Sequence, residues 1–272
     1  MHLVILILVV FTACNNGAIK VETSPTDNKN LHKPDWSSYQ KILDLGVVQN
    51  SYSGKYGAFK HNALDYKKLL MNKNFQKLVS EQVQSLKTTQ APQGKPATIA
   101  FWINAYNFFT IVDVTKNYPI KSMKDLGWKN VRHQVGNTKY SLDHIEHKIV
   151  RPLGEPKIHF AINCASVSCP SLYQNVLREE TINETLTKLT KDAMKNPLHI
   201  SLERDKVHVS KLLKWFKSDF EVQPYKSADG FIKAMAPTQL QKQIDAYLDY
   251  DWTLNNPENI EKAMGQLNVQ KN

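Results

Sequence analysis

The chain has 272 residues, 42% of them hydrophobic, and a formal net charge of +10, enough for one large domain or two small ones around a sizeable core. Only four of its 35 basic side chains are arginines (Arg132, Arg151, Arg178, Arg204). The lysines form no long run, so the bidentate contacts and basic blocks of a nucleic-acid reader are missing and no nucleic-acid partner is expected.

Leu3 to Phe11 is an almost unbroken apolar run. A membrane-spanning helix needs about 20 such residues, so this run instead fits the core of a signal peptide. It leads into Thr12-Ala13-Cys14, where a small residue before a lone cysteine resembles a bacterial lipobox; only His2, and no Lys or Arg, precedes the core. The expectation is a signal peptide over 1–13 and a lipid on Cys14 that anchors the protein to a membrane of the bacterial cell envelope, facing the periplasm or the exterior. Residues 15–35 are polar and aperiodic, so 14–35 reads as the lipidated cysteine and a disordered tether. Outside the cytoplasm the two remaining cysteines, Cys164 and Cys169, can oxidise.

Residues 36–255 predict a single α+β domain, mostly helical, with a long buried central helix packed on a small sheet of short strands. Trp36 to Val48 carries Tyr39, Ile42, Leu43 and Val47 on one helical face, and the glycines at 46, 54 and 57 predict loop. Leu64–Met71 and Phe75–Leu86 read as helices, and Ala91–Pro96 as a break. Ala97–Val114 is apolar nearly all round, which predicts a buried helix. Its Asn104 and Asn107 share a face and need hydrogen-bond partners there.

Val131–Val135 and Lys139–Leu142, around Gly136-Asn137, read as a hairpin. Asp143 reads as the cap of a helix through Arg151 that carries His144, Glu146 and His147, with His147 and Arg151 one turn apart. A single residue separates His144 from Glu146, which does not match the zinc-binding spacing. Residues 171–195 read as helix, His199–Leu202 and Val207–Val209 as a second hairpin, and Ser210 as the cap of a helix to Phe220. Ala228–Met235 and Thr238–Tyr250 read as two further helices, and 256–272 as a polar tail.

Reactive groups concentrate in Ile158–Leu172. Ile158 to Ile162 reads as a short buried strand, Cys164 to Cys169 as a tight loop, and Pro170 as the first residue of a helix. Three chemistries fit. The first is a thiol nucleophile, with Cys169 acidified at a helix N-terminus. His159 or His147 would act as base, Asn104 or Asn107 would orient the imidazole or donate to an oxyanion, and loop N–H groups would add donors. The second is a Cys164–Cys169 disulfide, structural or redox, contributing about 2 kcal/mol through loop entropy. The third is a metal site from His159, His147 and the cysteines, for which a lone C-x4-C pair is a weak signal. No cofactor is expected.

Several runs resemble the domain-of-unknown-function 547 family. They are Ala100 through Asn107 (AFWINAYN), Ser141-Leu142-Asp143 with Ile145-Glu146-His147 and Arg151-Pro152, Ile158-His159-Phe160-Ala161 with Cys164-Ala165-Ser166 and Ser168-Cys169-Pro170, and Tyr250 through Asn255 (YDWTLN). His144 departs from the pattern, which more often has an acidic residue there. The resemblance implies that Asn104, Asn107, Glu146, His147, His159, Cys164 and Cys169 belong to one site or one structural core, and it implies no reaction. Two functions are therefore expected side by side. One is a membrane-anchored hydrolase or acyl transferase with a Cys/His/Asn site and an unknown substrate. The other is a non-catalytic envelope binding or scaffold module, held by a Cys164–Cys169 disulfide and engaging an envelope partner.

Overall fold

In the computed structural model, which describes residues 34–272, the chain opens with helix α1 (Ser37–Gly46), whose Tyr39, Ile42 and Leu43 enter the core. Cys14, the expected leader and most of the expected tether lie outside the described residues. Four short strands follow: β1 (Val47–Val48), β2 (Ser51–Gly54), β3 (Gly57–Lys60) and β4 (Ala63–Leu64). Of the glycines that predicted loop, Gly54 and Gly57 instead close a tight β2–β3 hairpin, and Gly46 ends α1. Helix α2 (Tyr66–Met71) then packs on α1 so closely that a Cβ on Gly46 would stand 2.8 Å from Leu69, a contact only glycine permits. Helix α3 (Phe75–Lys87) completes the first layer.

The apolar run from Ala97 forms helix α4 (Lys95–Asn117), the centre of the molecule. Its composition and length would suit a membrane span, yet 94% of its most apolar window is buried inside the fold, as a helix apolar on every face requires. Phe101, Trp102, Tyr106, Phe108 and Phe109 join one large core with α1, α2 and α3. Truncating a fully buried ring such as Phe108 to alanine costs about 3–5 kcal/mol.

The expected hairpin forms as β5 (His133–Val135) and β6 (Thr138–Tyr140). The next helix is capped by Ser141, not Asp143: the Ser141 hydroxyl accepts from the His144 N–H at 3.0 Å. It starts as α5 (Leu142–His144) and widens into a π-helical turn, Ile145–Val150. Helix α6 (Ile182–Ala193), the hairpin β7 (Ile200–Glu203) and β8 (Lys206–Val209), α7 (Leu212–Trp215), α8 (Ala228–Met235), β9 (Ile244–Tyr247), α9 (Pro257–Gln266) and β10 (Gln270–Lys271) finish the chain. Among the described residues the strands make four small sheets, of which β7-β8-β9 and β10-β2-β3 are three-stranded. The architecture is α+β, with a long buried helix at its centre.

Further expectations are corrected. Ile158–Ile162 is not a strand; Pro156–Phe160 is a 3₁₀ turn, started by Pro156 and by the Glu155 carboxylate accepting from the Lys157 N–H. No sheet is needed there, because the Asn107 amide donates to the Ala161 carbonyl at 3.0 Å and accepts from the Asn163 N–H at 2.8 Å. Pro170 does not begin a helix. Asn163 holds the Pro170 carbonyl, Asn62 the Leu172 carbonyl and Asn104 both backbone groups of Leu177, so 170–177 is pinned as irregular chain and the helix expected over 171–195 forms only from Ile182. Thr238–Tyr250 is not one helix: β9 lies within it, parallel to β8. Residues 256–272 are not a tail, since α9 buries Ile260 and Met264 and β10 pairs with β2.

Candidate active site

Asn163 shapes the central loop. Its side-chain oxygen accepts from the Ala165 N–H at 3.0 Å and the Asn255 amide at 3.2 Å, while its amide nitrogen donates to the Pro170 carbonyl at 2.7 Å. Ala165 takes a left-handed conformation (φ 63°), one that a non-glycine residue adopts at a steric cost. The strained turn is held from outside by the stretch 251–255: the N–H groups of Val167 and Ser168 donate to the Thr253 and Asp251 carbonyls, and the Asn255 N–H to Ala165.

This turn folds the two cysteines towards each other without bonding them; both are free thiols. The Cys164 N–H donates to the Cys169 sulfur at 2.8 Å. The Cys164 sulfur lies 3.3 Å from the Ser166 hydroxyl and 3.4 Å from the Tyr250 hydroxyl. Hydrogen bonding from the Cys169 thiol, outweighing burial and aided by the Ser166 and Tyr250 donors, brings Cys164 from 9.0 down to about 6. Burial and the Cys164 charge push Cys169 the other way, well above the ordinary thiol value. The donors around Cys164 thus favour its thiolate, and burial favours the thiol form of Cys169. Cys169 is not at a helix N-terminus, so hydrogen bonding replaces the helix dipole as the acidifying agent.

Glu146 shares this interior. Burial, with the Cys164 charge adding to it, raises its carboxyl from 4.5 to about 7, and the Tyr106 hydroxyl donates to it at 3.2 Å. Outside Cys164, Tyr250 sits against Trp252 (ring centroids 4.4 Å) and Trp215 (5.0 Å), with the Lys124 ammonium 4.0 Å above the Trp252 ring. Cys164 is only 6% exposed.

The imidazoles form a separate cluster. His159 Nε2 donates to Asp219 at 2.8 Å, and its ring stacks on Phe216 with centroids 4.1 Å apart. Arg151 forks onto the same carboxylate through Nε at 2.6 Å and Nη2 at 2.8 Å. Its Nη1 donates to His147 Nδ1 at 3.0 Å; guanidinium can only donate, so His147 carries its neutral proton on Nε2. Burial lowers the pKa of His159 against the pull of Asp219, and burial together with Arg151 lowers that of His147. Asp219 itself is held well below the usual carboxylate range by Arg151 and His159, despite its burial.

Of the residues singled out from sequence, the structure joins Cys164 with Cys169, puts Glu146 within their electrostatic reach, and joins His159 to His147 through Asp219 and Arg151. Among the described residues neither sulfur has an imidazole as a hydrogen-bond partner. Asn104 and Asn107 clamp backbone. The loop N–H groups of 164, 165, 167, 168 and 169 are bonded within the fold and point at no open oxyanion position. Among the described residues no group of three His, Cys, Asp or Glu side chains is placed to hold a metal. Sequence reading missed Tyr106, Ser166, Tyr250 and Asp219. Tyr106, Ser166 and Tyr250 lie inside the motif runs and carry hydroxyls; Asp219 has no sequence signal.

Residues 91–192 match the model of a family described as "Protein of unknown function, DUF547". No curated protein and no solved structure matches the chain. The matched segment contains Cys164, Cys169, Glu146 and both imidazoles, whereas Asp219 and Tyr250 come from beyond it.

Proposed function

Because the chain is a member of the DUF547 family, whose description names no reaction, its chemistry must come from its own residues, and we propose that it is a thiol-dependent hydrolase or acyl transferase with Cys164 as nucleophile. The observation that carries this reading is the set of polar groups gathered on the Cys164 sulfur, the Ser166 hydroxyl at 3.3 Å and the Tyr250 hydroxyl at 3.4 Å with Cys169 alongside, a setting that lowers its pKa while burial raises that of the neighbouring Glu146 carboxyl. A structural thiol needs neither.

In the proposed sequence the Cys164 thiolate attacks an acyl carbon. The carbon–sulfur bond forms, the bond to the leaving group breaks, and the leaving group takes the Glu146 proton. Water, or an acceptor hydroxyl or amine, then attacks the thioester and gives its proton back to Glu146, and Cys164 departs as thiolate. The Ser166 and Tyr250 hydroxyls, released from the sulfur on acylation, turn to the carbonyl oxygen. Tyr250 must move aside to admit substrate, and its aromatic neighbours form the rim it moves against. We place the reaction at the bacterial envelope; the Leu3–Cys14 segment supports a lipid anchor there.

The test is acyl-enzyme trapping. The protein is mixed with p-nitrophenyl acetate and read by intact mass and peptide mapping. One acyl group on Cys164, absent in Cys164→Ala and long-lived in Glu146→Gln, is the expected result. Acylation spread over surface lysines, unchanged in Cys164→Ala, would refute the reading. The burial of both sulfurs, 6% and 3% exposed, favours a second reading, a non-catalytic envelope module. That reading predicts no acylation of Cys164.

A further inference from the structure

A second polar site lies away from the cysteines, where α6 faces the end of β3. The cavity there, about 120 Å³ and open at one side, is lined by His61, Asn62, Asn196 and His199, with Phe160 and Leu189 as apolar wall. Its polar residues are almost wholly buried: His199 is 0% exposed, His61 and Asn196 1%, and Asn62 4%. Buried polar atoms are nearly always paired. Here both ring nitrogens of His199 and the Asn62 side-chain oxygen have no partner among the described residues.

The surrounding bonds define what these atoms offer. Asn196 accepts from the Leu198 N–H at 2.9 Å through its oxygen, so its nitrogen donates to His61 Nδ1 at 3.0 Å. Neutral His61 therefore carries its proton on Nε2 and presents a donor, which disfavours a metal ion at that atom. Asn62 donates to the Leu172 carbonyl at 2.8 Å, which leaves its oxygen as the free acceptor. A neutral His199 offers one donor and one acceptor. Burial keeps both imidazoles neutral, lowering His61 to about 4 and His199 to about 3. At the rim Lys188 is paired with Asp192 at 3.0 Å, so no unpaired charge is added from that pair.

We propose that this cavity is a binding site for a neutral polyhydroxyl compound, a polyol or a single sugar ring. A hydroxyl both donates and accepts, which suits a wall that alternates the two; an anion or a cation satisfies only half of it. The Phe160 ring and Leu189 suit the C–H face of such a molecule. The site is independent of the cysteine chemistry.

The test uses ligand-observed saturation-transfer NMR on the full protein with glucose and glycerol, and with glucosamine and glucuronate as charged counterparts. Long-range ¹H–¹⁵N spectra of the histidine rings locate the contact. Saturable binding of a neutral probe, with shifts in the His199 and His61 rings and at least tenfold weaker binding in His199→Phe, is expected. Ala193→Leu, which fills the cavity while leaving every polar group in place, must weaken it as well and covers the case in which His199→Phe does not fold. Ring signals unmoved by either neutral probe, tighter binding of a charged counterpart, or undiminished binding in Ala193→Leu would each overturn the proposal.

Discussion

Replacing Tyr250 by phenylalanine tests the origin of the Cys164 thiolate. The Tyr250 hydroxyl lies 3.4 Å from the sulfur, and a hydrogen bond to a charged group contributes about 1.5–3 kcal/mol. At about 1.4 kcal/mol per pH unit, its loss raises the Cys164 pKa by about one to two units from its value of about 6. The thiolate fraction at pH 7 then falls from about nine-tenths to between about one-half and one-tenth. The assay is the rate of iodoacetamide alkylation of Cys164, followed by peptide mass from pH 4 upward. The inflection is the quantity to read, because phenylalanine also changes how well the sulfur is covered, and coverage scales the rate at every pH without moving the midpoint. Ser166→Ala must move the inflection the same way, Cys169→Ala further, and Cys169→Ser must restore part of the shift, since a hydroxyl still donates. A wild-type inflection near 9.0, or one that stays near 6 in Tyr250→Phe, would refute the account of the thiolate as a product of these donors.

Glu146 gives a pH signature in stability. Its folded-state pKa of about 7 lies above the unfolded 4.5, so its stabilising contribution is full below 4.5 and lost as pH rises through 7, a change of about 3 kcal/mol. Wild type minus Glu146→Gln, by urea unfolding at each pH, should show that fall; a flat difference would contradict the burial argument. Cys164 runs the opposite way, its contribution full above 9.0 and lost as pH falls through about 6, so Cys164→Ser should remove the alkaline rise. Asn107→Leu leaves the Ala161 carbonyl and the Asn163 N–H unpaired inside the protein, at about 1–3 kcal/mol each; Asn107→Asp, which can donate to the carbonyl only when protonated, should lose less at acid pH than at neutral pH. Equal urea midpoints for wild type and Asn107→Leu would show that the amide is no clamp. Cys14→Ala should abolish metabolic labelling by a clickable fatty acid, and persistent labelling would remove the lipid anchor.

What could be read from the sequence divides by whether an element's partner is local. Helices α1, α3, α6 and α8 carry their apolar stripe in one contiguous segment, and α4 announces itself by being apolar all round. Strand β9 does not, because its identity comes from pairing with β8, some 37 residues away; alone, Thr238–Tyr250 has a helix-like composition. In α9 the signal was present, Ile260, Ala263 and Met264 at helical spacing, but polar neighbours concealed it. The stretch 158–177 fails for a different reason. Its backbone is satisfied by the side chains of Asn104, Asn107, Asn163 and Asn62, so neither strand nor helix periodicity applies, and the asparagines noticed on the central helix were in fact the substitute for a sheet. The same long-range logic governs the site. Trp215 meets the Tyr250–Trp252 pair while its neighbour Phe216 stacks on His159 and lies under Arg151. Trp215 at the end of α7 and the Phe216 that follows it thus touch, in turn, the aromatic cover of Cys164 and the Arg151–Asp219–His159 cluster, so the proposed motion of Tyr250 takes place against a residue adjacent to one packed on that cluster.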